Sequence, residues 1–312
     1  MSLNLKTELK RLAGNDVPWL GFGTAEIGTA GERERSSRLL NEAFEQGIRY
    51  FDTARLYGGG EAEHVIGEVL SGKRDQILLT SKAGIIPWTD RRMLRVQNKL
   101  RSTMGMPPLA VDNLFGAFSL KQLKASFERS LKALRTDYLD CLLLHECARE
   151  DALNEDIVAW AQSLKDAGKI RAFGCAATED ETDRILGAEA RHLDIVQYAL
   201  DVSKTPKGMD LDHPPQVITH SALTEALGAI ARHLEHNPAL ALEIDQTFGV
   251  DLADTGQLAP HLLLHNHRQT GEAPVLFSTS KPERIAKTVQ SVSAAAGTDP
   301  EVMRRVQTAV SG

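Results

Sequence analysis

Much is missing from this sequence. Its 312 residues hold three cysteines, Cys141, Cys147 and Cys175, an odd number at no metal-binding spacing. That excludes a disulfide scaffold and suits a reducing compartment. No run approaches the roughly 18 apolar residues of a membrane span. The opening stretch, MSLNLKTELKRLAG, has no apolar signal core. The expectation is a cytoplasmic protein with no membrane partner. No cluster of arginine and lysine stands out and the net charge is -6, so nucleic acid is not expected as a partner either. There is no internal repeat and no low-complexity segment. No G-x-G-x-x-G follows the first apolar run, which excludes a Rossmann dinucleotide site.

What is present is alternation. Short apolar runs at 17–24, 48–52, 77–82, 138–145, 170–176, 194–199, 216–220 and 275–278 read as strands. Helical periodicity lies between most of them, at 32–46, 61–71, 119–135, 154–168 and 179–190, and again at 221–236, 238–248, 255–268, 281–294 and 298–310. Gly47 and Gly168 sit where helices should stop, and Ser119 where one should be capped. Strands apolar throughout and separated by helices predict a parallel sheet covered on its outer face. Eight such units predict an α/β protein, a (β/α)8 TIM barrel, forming one domain over 1–312. Two irregular stretches belong to its C-terminal rim. One is a long loop from Ala83 to about Phe118, with Pro87, Pro107, Pro108 and Trp88, a candidate pocket wall. The other is a shortened connection between strands 6 and 7, where Pro206, Pro214 and Pro215 leave no room for a full helix.

Four titratable residues, Asp52, Tyr57, Lys82 and His145, fall at or just after the ends of these strands. In a barrel those ends share one rim, so residues spread over roughly ninety positions converge on one cleft. A phenol beside an ammonium, a carboxylate and an imidazole is equipped to move a proton to or from an oxygen. Lys82 should favour the phenolate and lower the tyrosine pKa, and Asp52 should hold Lys82 charged. Each residue alone has a plainer reading: Asp52 as a turn cap, Tyr57 as a loop aromatic, Lys82 as a solvated end, His145 as a structural histidine. Gly58, Gly59 and Gly60 lack the lysine of a phosphate loop and read as a turn between Tyr57 and its helix. His261, His265 and His267 read as a surface cluster rather than a metal site, and Cys147 as a packing residue.

The segment YFDTARLYGGGEAEHVIGEVL (50–70), with SK (81–82) and LLLHE (142–146) following in order, resembles the aldo-keto reductases. GFGT (21–24), GKIRAFG (168–174), Gln197 and STSKPERI (278–285) extend the resemblance over nearly the whole chain. It implies a nicotinamide-dependent oxidoreductase interconverting a small aldehyde, ketone or sugar carbonyl with its alcohol. Asp52, Tyr57, Lys82 and His145 would then be the catalytic tetrad. Gly23, Thr24, Gln197, Ser221, Leu223, Ser278, Thr279, Ser280 and Arg284 would hold the cofactor, NADP(H) rather than NAD(H) because Arg284 suits a 2′-phosphate. Two departures stand out. Ala176-Ala177 replaces the usual Ser-Asn after the fifth strand, and Ser278 replaces a lysine. The stacking aromatic usual after Gln197 is not Tyr198, which should face away, leaving Leu200 or Asp201 for that place. A barrel of the same fold that binds nucleotide but turns over poorly is the alternative. A hydrolase using Asp52, His145 and Glu146 is a third reading.

Overall fold

The structure is a computed structural model that describes residues 3–28, 32–87, 99, 117–188, 190–223, 226–249, 251 and 253–311. Its frame is eight parallel strands: β1 (Leu20–Gly23), β2 (Tyr50–Asp52), β3 (Leu78–Ala83), β4 (Leu139–His145), β5 (Ile170–Ala176), β6 (Ile195–Ala199), β7 (Gln216–His220) and β8 (Val275–Phe277). They close in sequence order, with β8 returning to β1 through Leu20↔Val275, Gly21↔Leu276 and Phe22↔Phe277. Around them lie α2 (Arg33–Glu45), α3 (Glu61–Leu70), α4 (Leu120–Leu134), the single turn α5 (Arg149–Ala152), α6 (Glu155–Asp166) and α7 (Glu179–Leu186). The series ends with α8 (Ala226–His236), α9 (Pro238–Phe248), α10 (Thr255–Gln269), α11 (Pro282–Ala295) and α12 (Glu301–Ser311). This is the expected (β/α)8 barrel.

The two-residue period of the strands sorts side chains into two cores. Tyr50, Leu78, Cys141, Leu143, Ala172, Ile195, Ile218 and Leu276 fill the barrel. Their neighbours Phe51, Leu79, Leu142, Leu144, Phe173, Val196 and Tyr198 point outward and bury against the helices. Asp52, Lys82, His145 and Gln197 continue the inward rows of β2, β3, β4 and β6 to their carboxyl ends. Parity thus places them over the barrel mouth.

The segment before β1 is a helix, α1 (Leu5–Leu12), whose Asn4 cap accepts from Thr7 N. Leu3, Leu5 and Leu9 pack among the inward residues and close the amino end of the barrel. Gln216 fixes them there: its Oε1 accepts from Leu5 N at 2.7 Å and its Nε2 donates to Leu3 O at 2.7 Å. The floor therefore belongs to α1, and a ligand enters from the strand carboxyl ends.

Between β6 and β7 the chain makes only turns and bends, as the prolines predict. Ser119 occupies the N-cap of α4, but its hydroxyl donates to Gln122 Oε1 instead of accepting from a backbone N–H. The histidines of α10 are not a surface cluster. His261 and His265 are buried, and His267 stacks on Trp19 at 4.1 Å, because α10 packs inward along that face. Among the described residues no group of histidine, cysteine or acidic side chains is placed to hold a metal, and no helix is long and apolar enough to cross a membrane. Trp88 and most of the 83–118 loop lie outside the described residues.

Candidate functional site

Lys82 is the centre of the site. Its ammonium, 2% exposed, donates to Asp52 Oδ1, to Thr53 O at 3.0 Å and to the Tyr57 hydroxyl at 3.4 Å. The other oxygen of Asp52 accepts from Gln197 Nε2 at 2.9 Å. The backbone of Asp52 is held as well, its carbonyl accepting from Thr24 N at 3.0 Å and Thr24 Oγ1 at 2.9 Å. Behind Lys82, on the outer face of β3, Ser81 Oγ donates to the buried Glu63 of α3 at 2.6 Å and ties strand to helix.

Tyr57 reaches this group through the turn that follows it. Gly58, Gly59 and Gly60 have φ of 59°, 70° and 97°, all in the left-handed region. A Cβ on Gly58 would meet the Gly28 carbonyl oxygen at 2.6 Å. Glycine therefore lets the chain leave Tyr57, pass over Gly28 and enter α3 within three residues. The Tyr57 ring meets His145 edge-on, with centroids 5.8 Å apart and planes at 87°.

A cleft of about 570 Å³ opens over these four side chains, a size in the range of small-molecule sites. Gly23, Thr24, Gln197, Ser221, Leu223 and Ser278 also line it. Thr279, Ser280 and Arg284 lie beyond the lining, at the start of α11. There the Thr279 hydroxyl already accepts from Lys281 N at 3.2 Å. Arg284 is exposed and makes no ion pair among the described residues. Thr24 is wholly buried and spends its hydroxyl on Asp52, so it positions that residue more than it offers a free donor.

Tyr198 faces away, as parity predicts, and its hydroxyl accepts from Lys207 N at 3.0 Å. Leu200 and Asp201 do not take the aromatic place. Leu200 is buried in the outer core, and Asp201 accepts from Ser203 N at 2.8 Å. The ring lining the cleft on that side is His220, which the motif reading passed over. It follows Ile218 on the inward row of β7, so the same period of two points to it. Its Nδ1 lies 2.8 Å from Ser221 Oγ. Glu26 and Glu179 also line the mouth and were equally unforeseen, and so does Glu146, which only the hydrolase reading had named. Glu146 and Ser221, the residues immediately after β4 and β7, have φ of 52° and 62°. Such backbone costs on the order of 1–3 kcal/mol per residue and gathers at functional rims. At the end of β5, Ala176 and Ala177 contribute no side-chain donor. Their backbones are engaged through Glu146 N to Ala176 O and Ala177 N to Gln197 O.

Burial governs the protonation states. It raises the Tyr57 pKa, and Lys82 only partly opposes it, so the expected lowering is not what results. Tyr57 is a protonated phenol at neutral pH. Burial pushes the Lys82 pKa down, but Asp52 and Tyr57 together outweigh it and the pKa stands above the ordinary lysine value. His145 falls to about 3 through burial, with Lys82 and His220 pushing the same way. His220 falls to about 4 through burial and Lys82. Both are neutral, and a neutral imidazole still donates from one nitrogen.

Both histidines thus titrate below their ordinary value of 6.5 in the folded chain, so unfolding takes up protons in acid. Their contribution to stability is whole above pH 6.5 and is lost as the pH falls toward 4 and then 3. The loss runs at up to about 1.4 kcal/mol per pH unit for each histidine. We expect the urea midpoint to drop between about pH 7 and pH 5, and to drop less steeply in a His145→Asn variant. A midpoint that stays level over that range in the unaltered chain would contradict the neutral assignment.

The family model described as Aldo/keto reductase family matches residues 19–207. The chain is 25% identical over 305 residues to the uncharacterized oxidoreductase YqkF of Bacillus subtilis (strain 168), an alignment covering 92% of this chain and 91% of that protein. It is 33% identical over 159 residues to methylglyoxal reductase YeaE of Escherichia coli (strain K12), covering 51% and 45%. Among solved structures it resembles an aldo/keto reductase from Klebsiella pneumoniae in complex with NADP and acetate. The TM-score is 0.63 and the identity 20%, over 94% of this chain and 92% of that one.

Proposed function

This chain belongs to the aldo/keto reductase family and is an oxidoreductase, and on that premise we propose that it reduces a small aldehyde, ketone or sugar carbonyl with Tyr57 as the proton donor. The observation that carries the reading is the buried Lys82 ammonium held between the Asp52 carboxylate and the Tyr57 hydroxyl, beside a neutral His145. The cleft residues would hold a nicotinamide cofactor, which when bound would supply the hydride. The substrate oxygen sits between Tyr57 and His145. His145 donates a hydrogen bond to it, and Tyr57 gives up its hydroxyl proton as negative charge grows there. The phenolate left behind faces the buried Lys82 ammonium, so its charge is stabilised by a cation held largely out of solvent. Asp52 keeps Lys82 charged and in place. Because burial keeps the phenol protonated, the site is set for reduction at neutral pH, and alcohol oxidation should gain as the pH rises.

The residues present fit such a cofactor. With its amide nitrogen committed to Asp52, Gln197 keeps Oε1 to accept from a carboxamide N–H. The His220 ring lies along the same wall and offers an aromatic face. Arg284, exposed and without an ion pair among the described residues, suits the 2′-phosphate of NADP(H), the group carried by the NADP of the Klebsiella relative. Ser221, Leu223, Ser278, Thr279 and Ser280 would border the diphosphate and adenosine, with Gly23 below. The alanines at 176 and 177 leave the carboxamide held from one side, which favours moderate affinity. They also motivate a second reading, a nucleotide-binding barrel with little turnover.

Titration of the pure chain with NADPH and NADH, followed by nicotinamide fluorescence and then by addition of an aldehyde, separates these. We expect saturation by both, about tenfold tighter for NADPH, the size of one charge-assisted contact, and aldehyde-dependent oxidation. Equal affinities would remove Arg284 from the argument. Binding without turnover on any carbonyl would favour the second reading, and no binding would overturn both.

A further inference from the structure

A second concave site lies at the other end of the barrel. α10 runs into β8, so its last turns sit at the strand amino ends, where His267 stacks on Trp19 just ahead of β1. α11 returns from the carboxyl end and stops at Ala295, and α12 begins at Glu301. Between the end of α10 and the α11–α12 turn is a pocket of about 170 Å³ whose polar lining includes His261, His265, Arg268, Asp299 and Arg304. His261 and His265 are four residues apart and Arg268 three further on, which places all three on one helical face.

Three features of this pocket ask for a ligand. First, His265 is 9% exposed, and its Nε2 is buried with no hydrogen-bond partner. A buried ring nitrogen left unmet is unfavourable, and native interiors seldom keep one. Second, Arg268 is fixed in place without being neutralised. Its Nη1 donates to Thr298 O at 3.2 Å and its Nη2 to Ala296 O at 2.7 Å, and no acid among the described residues lies within ion-pair reach of it. Third, among the described residues Arg304 pairs only with the solvent-facing Glu301, at 3.3 Å. Asp299, the carboxylate in the lining, accepts from Glu301 N at 2.9 Å and is turned to the start of α12. The two guanidinium groups agree with His265, held at about 4 by burial and by the charges of Arg268 and Arg304. A cation is a poor occupant beside two guanidinium groups.

We propose that this pocket binds a phosphate group, with His265 Nε2–H, Arg268 and Arg304 as its donors. Guanidinium groups match phosphate oxygens in geometry as well as charge, and a neutral imidazole can add a third donor. The bound anion would join α10 to the α11–α12 turn, far from the catalytic cleft, and would stabilise the chain by mass action. The group can come from free phosphate or from a phosphomonoester, since the pocket is open on one side.

The test is calorimetric titration of the full chain, in chloride buffer at fixed ionic strength, with inorganic phosphate and separately with glycerol phosphate. The His265 imidazole is followed by NMR. We expect one saturable site, a shift at His265, and affinity lower by about tenfold or more in His265→Gln and in Arg304→Gln. Arg284→Gln, on the cleft side, should leave it unchanged. Arg304 is exposed, so its variant decides the matter even if His265→Gln folds poorly. Binding of both probes assigns the phosphate group itself, and binding of the ester alone assigns a phosphorylated metabolite. No saturable binding, or binding indifferent to both pocket variants, overturns the proposal, as does binding lost in Arg284→Gln instead.

Discussion

Replacing Tyr57 by phenylalanine should cut carbonyl reduction by roughly 10²–10⁴-fold, the usual worth of a positioned general acid, while cofactor titration stays as it was. The substitution removes one oxygen and keeps the ring. The ring makes the edge-on contact with His145, so the packing of the rim survives. What disappears is the hydroxyl 3.4 Å from Lys82 Nζ. Steady-state kinetics should therefore show the loss in kcat, with fluorescence titration of NADPH unchanged. A variant that keeps most of its turnover would assign the proton to another group, with His145 the next candidate. A variant that loses cofactor binding as well would mean that the hydroxyl holds the cleft together rather than carrying a proton.

The strand-end positions of Asp52, Lys82 and His145 were legible because parity along a buried strand is a local property. Each residue needed only its own strand to be placed inward and at the carboxyl end. The partners of these residues were not legible. Gln197 gives its amide nitrogen to Asp52 from 145 positions away, and no pattern within β6 says which side of the barrel it will meet. Thr24 reads as a cofactor contact in the motif, yet its hydroxyl is spent on the Asp52 backbone. The Tyr57 pKa went against expectation for a related reason. Proximity to Lys82 can be guessed from order along the chain, but desolvation depends on everything that encloses the phenol, and here it is the larger influence. His220 and α1 are different cases, since both had local signals. His220 continues the inward row from Ile218. Leu5, Leu9 and Leu12 follow an Asn4 cap at helical spacing. Neither lies within a motif. The histidines of α10 failed as a surface cluster because helical spacing sets which residues share a face and not whether that face is covered.

Exchanging Lys82 for methionine should destabilise the fold by about 3–5 kcal/mol, the usual result of breaking a buried ion pair from one side. Asp52 is 3% exposed, and after the exchange its carboxylate would keep Gln197 Nε2 as a donor but no cation. Methionine matches the lysine stem in length, so lost packing adds little. The cost should come from the stranded charge, and a second change can test that directly. Asp52→Asn in the Lys82→Met background removes the charge and should restore most of the lost stability, giving a coupling that urea unfolding of the four variants can read. Activity should follow a different course. Without Lys82 nothing stabilises the phenolate of Tyr57, so both Lys82→Met and the double variant should stay inactive. The pH dependence of the unaltered chain supplies an independent check. The Lys82 pKa is raised in the folded state, so the stability owed to the pair is fully present below the ordinary lysine value and is lost as the pH rises past it. A Lys82→Met chain should lack that alkaline decline. If the single variant costs under about 1 kcal/mol, the pair behaves like a solvent-exposed one. The buried ammonium would then not be what holds the Asp52 carboxylate, and the contacts on which the proposed chemistry depends would have to be drawn from Gln197 and the backbone instead.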